Sequence, residues 1–250
     1  MERFLFLDLD DTVFQTRAKC GPDPDPTAAA YLKDGSPISY CTSRQRAFLE
    51  MFVRELRIIP TTARNLDAFK RVALPFSEMS ILDHGGIIID AGREPDRPWL
   101  ERMRQLMSPT IGLLHELAAR IRIYGNHRGI EIGTRVIGDC GLDLYVLVKH
   151  AKSDTTALQA MLDGCVGPWI ARAGTAFKTH LNGNNLAILP AFLDKSHAVA
   201  YVIERLTERY GDILTIGMGD SMSDREFVLL CDYALVPKGT QLHASTLGRS

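Results

Sequence analysis

Nothing in this chain forms a long unbroken apolar run. Near the start, Phe4, Leu5, Phe6 and Leu7 stand together and stop at Asp8. So short a segment cannot span a bilayer, which takes about 20 apolar residues, and it leaves no room for an export signal with its cleavage site. Cysteine is scarce too. Cys20, Cys41, Cys140, Cys165 and Cys231 are odd in number, scattered, and never spaced Cys-x-x-Cys. That argues against a disulfide framework or a zinc site and points to a reducing cytoplasm. An excess of one charge is also missing. The 29 Lys and Arg against 30 Asp and Glu leave a formal net charge of -1, with no long basic run, so nothing suggests a nucleic-acid or membrane-surface partner. There is no internal repeat and no low-complexity tract.

What the chain does have is core. With 250 residues and 46% hydrophobic content, it can fold as one large domain or two modest ones without a metal or disulfide to hold it. Short apolar runs at 4–7, 56–60, 79–82, 213–216 and, more weakly, 233–236 suit parallel strands buried on both faces. Helical patterns lie between them. Residues 43–55 open with Ser43 as N-cap and space Phe48, Met51, Phe52 and Leu56 along one face. Residues 65–71 and 224–231 read as short helices. Residues 196–210 place Val199, Val202, Ile203 and Leu206 together and end at Gly211, a C-cap. Strands alternating with helices predict a doubly wound α/β domain with a parallel sheet.

The middle of the chain changes character. Strand-like pieces at 120–124, 130–132, 142–150, 169–173 and 186–189, with helices at 98–120 and 153–165, predict an inserted α+β module. The expected division is a core of residues 1–86 and 187–250 and an insert of residues 87–186, with Gly85-Gly86 and the Pro190 region as hinges. Before this, Pro22-Asp23-Pro24-Asp25-Pro26 must be extended. Asp34-Gly35 marks a tight hairpin. The whole of 16–42 reads equally well as a flap over a site or as a solvated excursion.

Ligands of open α/β sheets bind at the carboxyl ends of strands, so the residues just after each apolar run matter. After the first run stands Asp8-Leu9-Asp10-Asp11-Thr12; after the second, Thr61-Thr62-Ala63-Arg64; after the fourth, Gly219-Asp220-Ser221-Met222-Ser223-Asp224; and Lys195 stands before a late helix. Crowded carboxylates raise one another's pKa unless a cation intervenes, and a hard divalent ion with oxygen ligands, Mg²⁺ above all, is the natural remedy. Singly, each piece reads as a turn, a cap or a surface group. In this order, each at the same kind of boundary, they converge on one sheet edge.

In these four motifs the chain resembles the haloacid-dehalogenase-like phosphohydrolases. The large insert between the second and third motifs resembles the C2-type cap. His84-Gly85-Gly86-Ile87-Ile88 resembles the cap entry of the Cof-type branch, which is similar to sucrose-phosphate and mannosylphosphoglycerate phosphatases and to phosphomannomutases. Three positions depart from that pattern: Ala63 where Gly is usual, Ser223 where Asn is usual, and His84 in place of Asn.

The resemblance implies a Mg²⁺-dependent phosphatase acting on a small phosphorylated metabolite such as a sugar phosphate. It implies Asp8 as a nucleophile that is transiently phosphorylated, Asp10 as general acid and base, and Lys195 as the cation that holds charge beside Asp8. Asp8, Asp10 through its backbone carbonyl, Asp220 and Asp224 would serve the metal, Asp224 through water or by orienting Lys195. Thr62, with Ala63 and Arg64, would hold the phosphoryl oxygens. Asp11 reads as a turn residue and Thr12 as one that tightens the loop. Arg172, Lys178, His180, Asn182, Asn184 and Asn185 cluster in the late insert, where a cap would read the substrate. Two rivals stay open: a phosphomutase on the same fold, and a binding module that kept the fold without the chemistry. The insert would rock over the core. The oligomeric state is not legible.

Overall fold

Residues Phe4 to Leu7 are apolar on both sides, and both sides are covered: each is at most 1% exposed. They form the end of the first strand of a parallel sheet, as a run without alternation should. The computed structural model describes residues 1–250 except Ser77, Ser153, Thr175, Asn184, Leu247, Arg249 and Ser250. The reading of Asn184 therefore lies outside the described residues, and of Asn182 only the backbone is described.

The chain divides into two units, Met1–Asp96 with Asp194–Ser250, and Arg97–Leu193. In chain order the first holds β1 (Glu2–Leu7), β2 (Thr27–Tyr31), β3 (Pro37–Cys41), α1 (Ser43–Val53), β4 (Arg57–Pro60), α2 (Leu66–Phe69), β5 (Ser80–Leu82) and β6 (Ile87–Ile89). The second holds α3 (Arg97–Met107), α4 (Ile111–Arg128), β7 (Ile132–Asp139), β8 (Leu142–His150), α5 (Thr155–Met161), α6 (Gly167–Ile170), β9 (Phe177–Asn182) and β10 (Asn185–Pro190). The chain returns to the first unit with α7 (Lys195–Tyr210), β11 (Ile213–Met218), α8 (Arg225–Leu230), β12 (Tyr233–Leu235) and α9 (Gln241–Thr246).

The first unit is the expected α/β domain. Its sheet runs β12-β11-β1-β4, parallel throughout. Leu7 stands level with both Met218 and Pro60, so three strands end at one edge and deliver Asp8, Thr61 and Gly219 there. The hairpin β2–β3 is not a solvated excursion. Gln15 and Tyr40 exchange backbone bonds of 2.9 and 2.7 Å, and Ala73 N donates to Ala29 O at 2.8 Å, so it is stitched to the unit at both sides. The cap of α1 is Thr42 rather than Ser43: its side chain and that of Gln45 form a reciprocal capping box.

The second unit is the expected α+β module, an antiparallel sheet of order β7-β8-β10-β9. Several expectations inside it fail. Residues 120–124 are not a strand but part of α4, because their alternation coincides with a helical face: Leu114, Leu117, Ala118 and Ile121 are buried while Ile123 is 58% exposed. The expected helix over 98–120 is two helices, broken between Met107 and Ile111. Residues 169–173 end a helix, with Pro168 near its start. β9 is a strand that the expected strand-like pieces did not include.

The boundaries also differ from 86/87 and 186/187. β6 pairs antiparallel with β5 and stays in the first unit, while β10 runs to Pro190 as a strand of the second unit's sheet. Gly85-Gly86 is accordingly a turn between β5 and β6, not the crossing between units. Gly85 has φ +93, and a Cβ there would stand 2.5 Å from Asp194 O, so only glycine lets this turn pack against the start of α7. Among the described residues no helix is long and apolar enough to cross a membrane.

Candidate active site

The carboxyl edge of the parallel sheet assembles a charged cluster around Lys195, the first residue of α7, whose helix is capped by the Asp194 side chain. Lys195 Nζ donates to Asp8 Oδ1 and to Asp224 Oδ1, each at 2.7 Å. All three are buried, Lys195 and Asp8 at 4% and Asp224 at 1% exposure. Asp8 is fixed further by its backbone, which donates to Met218 O at 2.9 Å, and by Thr12 Oγ1, which donates to Asp8 Oδ2 at 2.8 Å. Thr12 thus tightens the loop, as expected, by a bond to the carboxylate itself.

The β11–α8 loop supplies the rest. Asp224 Oδ2 accepts from Ser221 N at 3.0 Å, Ser221 Oγ at 2.7 Å and Asp220 N at 3.3 Å. Ser221 was not singled out in the sequence; its place three residues before a buried Asp, typical of a side chain that closes a turn, is the signal that marks it. Gly219 has no room for a side chain: a Cβ would meet Asp224 Cβ at 2.4 Å. Gly219→Ala should therefore displace Asp224, cost about 1–3 kcal/mol as overpacked cores do, and cut turnover at least tenfold, roughly, by loosening Lys195. Urea unfolding together with activity measurement checks this; a Gly219→Ala protein as stable and active as the parent would contradict the packing.

Electrostatics divides the acids. Burial would raise Asp224, but the Lys195 charge, its hydrogen bond and those from Ser221 outweigh it and hold the carboxyl below its ordinary range. Burial raises Asp8 well above that range; Lys195 opposes this, and the charges of Asp224 and Asp220 add to it. Burial, then Asp224 and Asp11, push Asp220 up to about 7. Burial alone would lower Lys195, yet Asp224 and Asp8 keep it above its ordinary value. One ammonium cannot neutralise three carboxylates. Oxygens of Asp8, Asp220 and Asp224 lie within 4.8 Å of one another, an all-oxygen set of the kind that suits a hard divalent cation such as Mg²⁺.

Asp10 stands apart from this trio. Its carboxylate is turned to Arg64, so the side chain is not one of the clustered ligands; the expectation for it rested on its carbonyl. Thr62 is fully buried at the end of β4. Its Oγ1 accepts from Arg64 N at 3.1 Å and keeps its own hydrogen to donate. Ala63 lies between them, half-buried. Asp11, at φ 62, is a turn residue as expected and is bonded by Lys19 at 2.6 Å.

The late residues of the second unit are less gathered. Lys178 and His180 alternate on β9, opposite Leu189 and Ala187 of β10, and so share a face of the sheet. Arg172 sits on the exposed turn after α6 with its Nε donating to Pro168 O at 3.0 Å. The structure does not group it with them.

No protein-family model matches the chain, and no curated protein does. Solved structures do. The C-terminal domain of trehalose-6-phosphate phosphatase from C. albicans aligns over 90% of this chain and 72% of its own, with 13% identity and a TM-score of 0.60. The sucrose-phosphatase from Synechocystis, solved with sucrose and phosphate, aligns over 100% and 90% with 14% identity and a TM-score of 0.54. A haloacid dehalogenase-like hydrolase from Bacteroides thetaiotaomicron aligns over 94% of each chain with 13% identity and a TM-score of 0.53. The chain has the haloacid-dehalogenase-like fold, an α/β core with an inserted α+β unit, and its charged cluster lies at the carboxyl edge of that core's sheet.

Proposed function

We propose that this protein is a Mg²⁺-dependent phosphatase that hydrolyses phosphate monoesters of a small metabolite through an aspartyl-phosphate. One observation carries the reading: a carboxylate at the end of the central strand, Asp8, is buried against a lysine that a second acid holds in place, with a third acid beside them. A purely structural role for so costly a cluster has little to recommend it, since buried ion groups gain stability only with difficulty. The two solved sugar-phosphate phosphatases of like fold support a sugar phosphate or similar small ester as substrate.

Asp8 attacks phosphorus in line, and the bond from phosphorus to the leaving oxygen breaks. The electron pair stays on that oxygen, which takes the proton that the Asp10 carboxyl must carry at this step, leaving it a carboxylate. Water then attacks the aspartyl-phosphate, Asp10 takes the water's proton, and the Asp8 carboxylate is restored. Lys195 holds the charge of Asp8 through both steps, while Thr62 donates to a phosphoryl oxygen. Mg²⁺, when held by Asp8, Asp220 and Asp224, supplies charge neutralisation at the phosphoryl group. The second unit serves as the cap that selects the ester, with Lys178 and His180 as its readers, and the five free cysteines support a reducing, cytoplasmic setting.

Phosphate release from a panel of phosphorylated metabolites should depend on Mg²⁺ and cease in a strong chelator. Asp220→Ala should raise the Mg²⁺ concentration required by about tenfold or more, since one of few carboxylate ligands is lost. Undiminished activity in the chelator would refute the metal requirement, and transfer of phosphate to a second hydroxyl of the substrate would favour a mutase.

A further inference from the structure

Arg64 follows β4 in the place where a phosphate-binding residue is expected, yet its guanidinium is committed elsewhere. Nε donates to Asp10 Oδ2 and Nη2 to Asp10 Oδ1, both at 2.7 Å. The fork is itself immobilised. Its carbon lies 5.0 Å from the centroid of the Phe14 ring, and Phe14 is fully buried. Nη2 also reaches Ser39 Oγ at 3.5 Å, on β3. The Arg64 backbone is held at both ends, its N–H by Thr62 Oγ1 at 3.1 Å and its carbonyl by Asp83 N at 2.9 Å. The Arg64 side chain is 14% exposed, whereas that of Asp10 is 47% exposed.

We infer that Arg64 is the positioning residue for Asp10. A half-exposed aspartate on a loop would sample several rotamers; two parallel bonds from a planar fork fix both carboxylate oxygens and the plane between them. The inference rests on the phosphatase reading, because it is the proton delivered to the leaving oxygen, and later taken from water, that needs this aim. A misplacement of about 1 Å in such a group costs on the order of a hundredfold. Arg64 acts through Asp10 and not on the substrate, so its loss should be felt only where the leaving group needs a proton. A simple alkoxide needs one; a nitrophenolate departs without it.

The test compares wild type, Arg64→Met and Arg64→Lys, with enzyme in excess and Mg²⁺ present, in the first-turnover release of alcohol from an alkyl phosphate and from p-nitrophenyl phosphate. Following only the first turnover separates proton delivery from the later attack of water. Arg64→Met should slow the alkyl ester about a hundredfold and the aryl ester by less than about tenfold, with the concentration for half-maximal rate little changed. Arg64→Lys, which cannot fork, should fall between. A crystal structure of Arg64→Met should show the Asp10 carboxylate released into other rotamers. Equal losses on both esters, a weakened substrate affinity with an unchanged maximal rate, or an Asp10 that keeps its place in the variant would each overturn the inference while leaving the phosphatase reading intact. A wild type that releases neither alcohol would instead overturn the phosphatase reading, and the clamp's catalytic purpose with it.

Discussion

Asp8→Asn should abolish turnover and leave the protein folded. The amide is nearly the same size, and its oxygen can still accept the Lys195 bond now made at 2.7 Å. What it cannot do is attack phosphorus. The loss should be at least about a thousandfold, since removal of a nucleophile takes away a whole reaction path and leaves only binding and electrostatics. The same change should not weaken the fold in the absence of metal, and should strengthen it. Asp8 is held above the carboxylate range by burial and, against Lys195, by the charges of Asp224 and Asp220, so a neutral residue relieves repulsion.

This makes a companion expectation for the wild type. The folded Asp220 titrates at about 7 against an ordinary 3.8. Between those values the folded state binds a proton that the unfolded chain has released, so stability falls as pH rises through that window. Added Mg²⁺ should reverse the trend, because an ion that binds only the folded state stabilises it by about 2.7 kcal/mol at a hundred times its dissociation constant. Phosphate release and thermal melts with and without Mg²⁺ measure all of this. A folded Asp8→Asn protein with near-normal turnover would remove Asp8 from the nucleophile's role.

Much of the core was legible in the sequence because its strands bury both faces and its acids sit where strands stop. The runs at 4–7 and 213–216 suit buried parallel strands, and the acids after them had to emerge at one edge once the strands were parallel. The second unit was harder for a physical reason. Its helices carry Arg-Ile-Arg-Ile-Tyr at 120–124, which alternates like a strand, while β9 reads Phe-Lys-Thr-His-Leu-Asn, whose alternation rests on only two apolar residues, Phe177 and Leu181, amid polar ones. The Gly85-Gly86 pair was rightly a conformational break but not a hinge, since the need for glycine there comes from Asp194, far along the chain. Within the site, the four motifs located Asp8, Lys195, Asp220 and Asp224 together, whereas the pairing of Arg64 with Asp10 depends on two loops meeting and has no local signature. Thr62 and Arg64 stand almost side by side in the chain, which gave no hint that one would be a buried hydroxyl and the other a clamp.

Lys195→Met should be the most destabilising single change at this edge. The methionine fills a similar volume beside Phe227, whose ring lies 5.6 Å from Nζ, so the cost is electrostatic and not a cavity. Asp8 and Asp224, 4% and 1% exposed, would lose their shared cation. Breaking a buried pair by removing one partner costs about 3–5 kcal/mol, which for a chain of this size is a fall of roughly 10 °C in melting temperature. Turnover should fall with it, because the lysine bond that holds the charge of Asp8 as it attacks is lost. The cause can be separated from simple loss of packing in two ways. Acidification should restore part of the stability, since protonating the stranded carboxylates removes the unpaired charge. Adding Asp224→Asn to Lys195→Met should restore stability as well, but not activity. Thermal unfolding of the single and double variants at several pH values reads this directly. A Lys195→Met protein that melts with the wild type at neutral pH would mean that the lysine does not bind the two acids into one unit, and the electrostatic account of this edge would have to be abandoned.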